Sequence, residues 1–230
     1  MDGATVSRTP SASVGNYLKA IWESSEEGVA STKDVADRLS FSKASVTNMF
    51  ARLREMGLVE YEPYRGASLT EEGHSEALRL VRRHRLIETF LLDQLGYSWE
   101  DVHEEAEQLE HAVSDRFTER LAELLGHPAH DPHGDPIPAV DGTLEQDSSF
   151  PLPAAAAGQR VLIARVEETA RLLSYLGERG LVPGRLLTVE EVRPLDGVVT
   201  FEDEEGITHS LGAPLASALF VRGASQGDAE

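Results

Sequence analysis

The chain has 230 residues, with 40 Asp and Glu against 21 Lys and Arg and a net charge of −19, a length that suits two or three compact domains. Its composition, 40% hydrophobic and 27% charged, is ordinary for a folded soluble protein. No apolar run reaches the ~18 residues that a bilayer span needs, and the start MDGATVSRTPSAS lacks the apolar stretch of a secretory leader, so a cytoplasmic protein is expected. Cysteine is absent, which excludes disulfides, thiolate metal sites and cysteine nucleophiles and leaves His and carboxylates as the strong metal ligands.

In chain order, residues 1–12 are small and polar and are expected to lack fixed structure. Apolar Val14, Tyr17, Leu18, Ile21 and Trp22 recur at helical spacing from Ser13 to Ser25. Ser31 is a candidate N-cap for a short helix over Thr32–Leu39. Ser42 caps a third helix running to about Met56, whose inward stripe is Val46, Met49, Phe50 and Leu53 and which Gly57 ends. Two short strands, 58–61 and 67–69, flank the turn Pro63-Tyr64-Arg65-Gly66. Helix, short helix, turn, helix and hairpin is the order of a winged helix-turn-helix.

Glu71 to Leu95 is predicted as a long helix ended by Gly96, and Trp99 to about Leu125 as another, or as two broken near Ser114. The stretch 127–138 carries four prolines and cannot be regular structure. Residues 141–158 form a polar, Ala/Pro-rich linker. Strands at 160–165, 186–191, 198–201 and 219–222 around one helix at 167–179 then predict a small β-barrel of SH3 size, followed by a loose tail.

A recognition helix needs short polar side chains at its N-terminal turns to reach base edges in the major groove. Ser42, Lys43, Ser45, Thr47 and Asn48 avoid the inward stripe and meet that need. Asn48 is suited to adenine, while Lys33, Lys43, Arg52 and, at the wing tip, Tyr64 and Arg65 are candidates for the backbone. The overall charge opposes DNA binding, but between Thr32 and Arg65 the charges nearly balance, whereas from Glu100 to Glu110 six acids meet no base.

The most informative stretch is His103-Glu-Glu-Ala-Glu107-Gln-Leu-Glu110-His111. Positions 103, 107, 110 and 111 stand at i, i+4, i+7 and i+8, one helical face, where two imidazoles and two carboxylates can converge on a cation. His84 and Glu88, also i and i+4, offer a second set on the preceding helix. Without sulfur the donors suit Mn²⁺, Fe²⁺, Co²⁺ or Zn²⁺. His127, His130 and His133, in the proline-rich segment, could bind metal adventitiously, but a loop-structuring role is expected of them. Lone charged faces are commonly just solvated, so the weight rests on two such sets lying on adjacent helices.

The order of these motifs resembles the diphtheria-toxin-repressor family of metal-dependent regulators, and its manganese-sensing branch more closely than its iron-sensing one. The residues that carry the resemblance are Tyr17-Leu-Lys-Ala-Ile21, Arg82-Arg-His-Arg-Leu-Ile-Glu88, Trp99-Glu-Asp-Val-His103, Glu107-x-x-Glu-His111 and Asp131-Pro-His-Gly-Asp-Pro-Ile-Pro138. The resemblance implies a homodimer that binds a palindromic operator in double-stranded DNA when metal is bound and represses metal-uptake genes. It implies one metal site from Glu107, Glu110 and His111 with Asn16 of the first helix. A second would use His84, Glu88 and His103, completed by Glu167 or Glu168. Iron-sensing relatives place Cys where this chain has Glu107, a hard oxygen donor that favours Mn²⁺. The family's first-helix ligand is Asp or Met where Asn16 stands, and some manganese sensors have Glu where Lys19 stands, so separate metal sites are expected rather than a closely spaced pair.

The expectation is therefore a mostly α protein: a winged helix-turn-helix (1–74), a helical dimerisation and metal-binding domain (75–140), a linker (141–158), a small SH3-like β-barrel (159–223) and a loose tail (224–230). The expected function is a Mn²⁺-responsive transcriptional repressor, with an iron-responsive one as the alternative. A carboxylate di-metal enzyme and a metal-independent DNA-binding regulator are the rivals from other classes. No catalytic constellation or phosphate-cradling loop stands out, so no catalysis is expected.

Overall fold

The computed structural model describes residues 11–25, 28–167 and 169–224; the expectations for the first ten residues, for Glu168 and for the end of the tail lie outside the described residues. Two compact units emerge, one reaching Arg83 and including Pro138–Thr143, the other comprising His84–Ile137 and the chain from Leu144 onward. No helix among the described residues is long and apolar enough to cross a membrane.

The first unit opens with α1 (Ala12–Glu23), α2 (Thr32–Leu39) and α3 (Lys43–Glu55). Two side chains start the later helices by satisfying amides that have no partner within the helix: Ser31 Oγ accepts from Asp34 N at 3.1 Å, and Ser42 Oγ from Ser45 N at 3.2 Å. α3 stops where Gly57 turns the chain at φ +75°. β1 (Val59–Glu62) and β2 (Gly66–Leu69) pair antiparallel as the wing. Ala30 extends this small sheet through paired backbone bonds with Ala67 of 2.8 and 2.9 Å. Val14, Leu18, Ile21, Val35, Val46, Phe50 and Leu53 form the buried centre, the stripe that helical periodicity predicts.

α4 (Glu71–Leu95) begins hard against the wing. Thr70 Oγ1 donates to Gly57 O at 2.8 Å and accepts from Gly73 N at 3.1 Å. At Gly73 a Cβ would lie 1.9 Å from Leu58 O, so only glycine allows this approach.

The second unit continues α4 from His84 and adds α5 (Val102–Leu109) and α6 (Asp115–Leu124). The single helix considered for 99–125 is thus two, and Ser114 caps the second by accepting from Phe117 N at 3.2 Å. Leu86, Ile87, Leu91, Val102, Ala106, Leu121, Ala122 and Ile137 pack together. The rest of the unit is β3 (Phe150–Pro151), β4 (Arg160–Val166), α7 (Ala170–Gly177), β5 (Leu186–Arg193), β6 (Val198–Asp203), β7 (Thr208–Leu211), α8 (Ala213–Ser217) and β8 (Leu219–Gly223). The strands form one antiparallel sheet in the order β3-β8-β4-β5-β6-β7. Residues 150–155, in the segment read as linker, join this sheet and bury Leu152 in its core.

The β6–β7 turn is organised by Asp203, which is buried. Its carboxylate faces His209 Nε2 at 2.9 Å and Arg185 at 3.4 Å, and accepts from Glu205 N at 2.9 Å and Ile207 N at 3.0 Å. His209 above all, then the two amides and Arg185, hold this carboxyl well below the usual carboxylate range, against the opposing effect of burial.

Two outcomes follow. Ala favours helix over Gly by about 1 kcal/mol, yet Gly73→Ala should destabilise the protein by about 1–3 kcal/mol through overpacking; an unchanged or raised melting temperature would contradict the close approach. The stabilising effect of Asp203's depressed pKa is fully present above about pH 4 and is lost as pH falls through its lower folded value. Asp203→Asn should therefore lower the melting temperature at pH 7 and flatten its decline in acid, as read by thermal melts from pH 7 to pH 2.

Candidate metal centre and DNA-binding face

α4 presents His84 and Glu88 one turn apart, α5 presents His103, and the turn after α5 supplies Glu110 and His111. His84 Nε2 lies 2.8 Å from Glu88 Oε1 and 3.1 Å from His103 Nδ1, and His103 Nδ1 lies 3.0 Å from the same Glu88 Oε1. These three donor atoms form a small triangle, and His84 and Glu88 are buried while His103 is partly open to solvent. On the other side of His84, Nδ1 meets Glu110 Oε2 at 2.7 Å. A carboxylate on the far nitrogen is the arrangement that orients a metal-bound imidazole and raises its basicity.

Glu88 also belongs to a second group. Its Oε2 stands 4.0 Å from His133 Nδ1, and Asp131 completes a set with both. All three are buried. The loop that carries them is held at many points. Asp131 Oδ1 accepts from His133 N at 2.8 Å and from Asp135 N at 3.0 Å. Arg85 reaches Asp131 at 3.2 Å and Asp135 at 3.3 Å and donates to Pro136 O at 2.5 Å. Val166 N of β4 donates to His133 O at 2.9 Å. Gly134, at φ +92°, passes so close that a Cβ would lie 2.0 Å from Ala164 O.

Helical spacing pairs His84 with Glu88 and sets His103 on a face with Glu107, Glu110 and His111, whereas the family resemblance implies His84, Glu88 and His103 as a group, and these three donors lie together. The remaining candidates are distributed differently. α5 ends at Leu109, so Glu110 and His111 leave the helix. Glu110 is turned inward to His84 and His111, whose Nε2 is 3.3 Å away, while Glu107 is largely exposed, 3.7 Å from His103 Nε2. Asn16 lies exposed on α1 in the first unit. Glu167 is exposed directly after β4, its N–H bonded to Ala218 O at 3.0 Å. Neither Asp131 nor His133 belongs to the set that spacing predicts. Their loop has no period, and only the His within an otherwise Pro- and Gly-rich run marks it.

On the first unit, Ser42, Lys43, Ser45, Thr47, Asn48 and Arg52 are all exposed along α3, opposite buried Val46, Phe50 and Leu53. The Ser42 and Ser45 hydroxyls are 2.9 Å apart. Lys33 on α2 is exposed and pairs with Asp37 at 2.9 Å. At the wing tip Tyr64 projects fully into solvent at φ +69°, beside Arg65, which pairs with Glu62 at 2.8 Å. This is a polar helix face with cations at its margins and a protruding wing.

Comparison with known proteins agrees with both faces. Three family profiles match in succession: "Iron dependent repressor, N-terminal DNA binding domain" over residues 11–67, "Iron dependent repressor, metal binding and dimerisation domain" over 70–139, and "FeoA domain" over 150–223. The chain is 32% identical over 207 residues to the iron-dependent repressor IdeR of Mycobacterium tuberculosis, covering 84% of this chain and 90% of that protein. It is 39% identical over 133 residues to the diphtheria toxin repressor of Corynebacterium efficiens, 57% of this chain and 58% of that one. Among solved structures, a manganese-dependent transcriptional repressor in complex with manganese superposes with a TM-score of 0.85 at 38% identity, covering 92% of this chain and all of that one.

Removal of the shared carboxylate tests the centre. Adding Mn²⁺ to the metal-free protein at 100 times its Kd should raise stability by about 2.7 kcal/mol. In Glu88→Gln, which keeps the volume and loses the charge, most of that gain should vanish; an equal gain in both proteins would show that the cation binds elsewhere.

Proposed function

Because the chain belongs to the diphtheria-toxin-repressor family of metal-dependent transcriptional regulators, DNA-binding repressors rather than enzymes, we propose that it is a manganese-responsive repressor of metal-uptake and homeostasis genes. It acts as a homodimer, each winged helix on one half of a palindromic operator, and engages DNA when divalent metal is bound. The observation that carries the reading is the convergence of three elements on buried Glu88. Its Oε1 meets His84 and His103 within 3.0 Å, and its Oε2 faces His133.

The residues fit a divalent cation. His84, Glu88 and His103 supply two imidazole nitrogens and one carboxylate oxygen, and Asp131 and His133 supply one of each. Three ligands about 2.1 Å from an ion stand about 3.0 Å apart on an octahedral face and about 3.4 Å apart in a tetrahedron. The triangle edges of 2.8, 3.0 and 3.1 Å are short enough for all three donors to share one ion. Co²⁺ and Zn²⁺ remain candidates in vitro. Glu107, an oxygen donor, supports Mn²⁺. A bound cation supplies positive charge to a cluster whose carboxylates otherwise repel one another, and the chain's own part is to hold Glu88 between the two imidazole groups. Glu107, Glu110 and His111 are retained as the neighbouring position that the family implies. The C-terminal sheet is read as the small SH3-like barrel, a reading that its match to the FeoA domain supports.

An iron-responsive repressor is the second reading, favoured by the 32% identity with IdeR. Operator-fragment binding by fluorescence anisotropy separates the two, titrated with Mn²⁺, with Fe²⁺ under anaerobic conditions, with Zn²⁺ and with chelator. Mn²⁺ should tighten binding most, by the 5–150-fold typical of allosteric coupling. A larger effect of Fe²⁺ would favour iron, and equal binding under all conditions would remove metal control altogether. In the same assay Asn48→Ala should relax discrimination by about 1–3 kcal/mol at its base pair. Lys43→Ala should instead weaken all sequences alike and reduce the salt dependence by about one charge.

A further inference from the structure

We propose that Trp99 is a positioning residue for the metal centre: it fixes the tautomer and the place of His133 from both ends of its own structure. The proposal rests on the reading of Glu88, Asp131 and His133 as a metal-binding group.

Trp99 sits between α4 and α5, two residues before Asp101 caps the latter. Its carbonyl oxygen lies 3.1 Å from His133 Nε2. A carbonyl can only accept, so Nε2 carries a proton, and Nδ1 is the ring nitrogen turned towards Glu88 Oε2, 4.0 Å away. A metal-binding histidine needs this state, one nitrogen committed to a carbonyl and the other left to the ion.

The indole acts on the same loop a second time. Its Nε1–H donates to Pro132 O at 3.0 Å, the residue between Asp131 and His133. The ring packs beside the His133 imidazole, with centroids 5.5 Å apart. Behind, the indole rests on the core of the C-terminal sheet and on Gly177 of α7, where a Cβ would come within 3.4 Å of Cε3. One residue therefore anchors the loop's backbone, orients the imidazole and ties both to the sheet domain. Any residue at this position would offer the carbonyl; the indole donor to Pro132 O is what only tryptophan supplies.

The test uses the full chain with ¹⁵N-labelled histidine. In the metal-free wild type, long-range ¹H–¹⁵N correlation should show a proton on His133 Nε2, assigned by the signal lost in His133→Gln. Trp99→Phe keeps an aromatic ring and removes the donor to Pro132. It should shift the His133 ring signals away from that state and weaken Mn²⁺ binding by about tenfold in calorimetry, the usual size of such second-shell effects. A wild-type spectrum with the proton on Nδ1 overturns the proposal, and this holds even if Trp99→Phe fails to fold. So does a folded Trp99→Phe with unchanged ring signals and unchanged Mn²⁺ affinity. If wild type binds no Mn²⁺, the metal reading fails instead, and the tautomer comparison alone decides whether Trp99 sets the ring.

Discussion

A carboxylate with no exposure to water must be matched where it stands, because an uncompensated charge in a protein interior costs several kcal/mol. Glu88 is such a group, and much of the second unit is arranged around it. α4 gives it His84 one turn earlier, α5 approaches to bring His103, and the proline-rich loop folds back to place His133. Those partners are in turn held by others, His84 by Glu110 and Asp131 by Arg85. The arrangement is demanding in packing terms, and Gly134 lies against the β4 backbone where no side chain fits.

The centre of the first unit is a cluster of apolar side chains. Its construction is apolar, with helix starts set by serine hydroxyls and a wing closed by Ala30. The exposed side of α3 carries short polar groups, which suits reading base edges. A net charge of −19 leaves this face as a local exception on an acidic molecule. Sequence-independent attraction to DNA should therefore be weak, with a shallow salt dependence set by few phosphate contacts, which places more of the binding on the helix contacts.

Much of this was legible in the sequence wherever a period or a cap speaks. The stripe Val46, Phe50, Leu53 and the capping serines marked α2 and α3, and the i, i+4 pair His84 and Glu88 marked a candidate set to which the family resemblance, not the spacing, added His103. What escaped lacked such a signal. β7 is four residues long and reads Thr-His-Ser-Leu, with little to distinguish it from a loop. Leu152 is a single apolar residue in an Ala/Pro-rich run, yet it is fully buried. Asp131 and His133 are brought to Glu88 by long-range folding of an aperiodic loop, and no local rule reports that. Extending helical spacing too far was the opposite error. α5 ends before Glu110, so the side chain that spacing would align with Glu107 turns instead to His84.

The absence of cysteine has a consequence beyond the choice of ion. Sensors that hold metal through thiolates are exposed to peroxide, which converts such sulfurs to sulfenic and higher acids and releases the ion. Here every candidate donor is an imidazole nitrogen or a carboxylate or amide oxygen, and no cysteine is present. None of these donors enters that oxidation ladder. The thiol route from peroxide to metal release is therefore closed at this protein's own ligands.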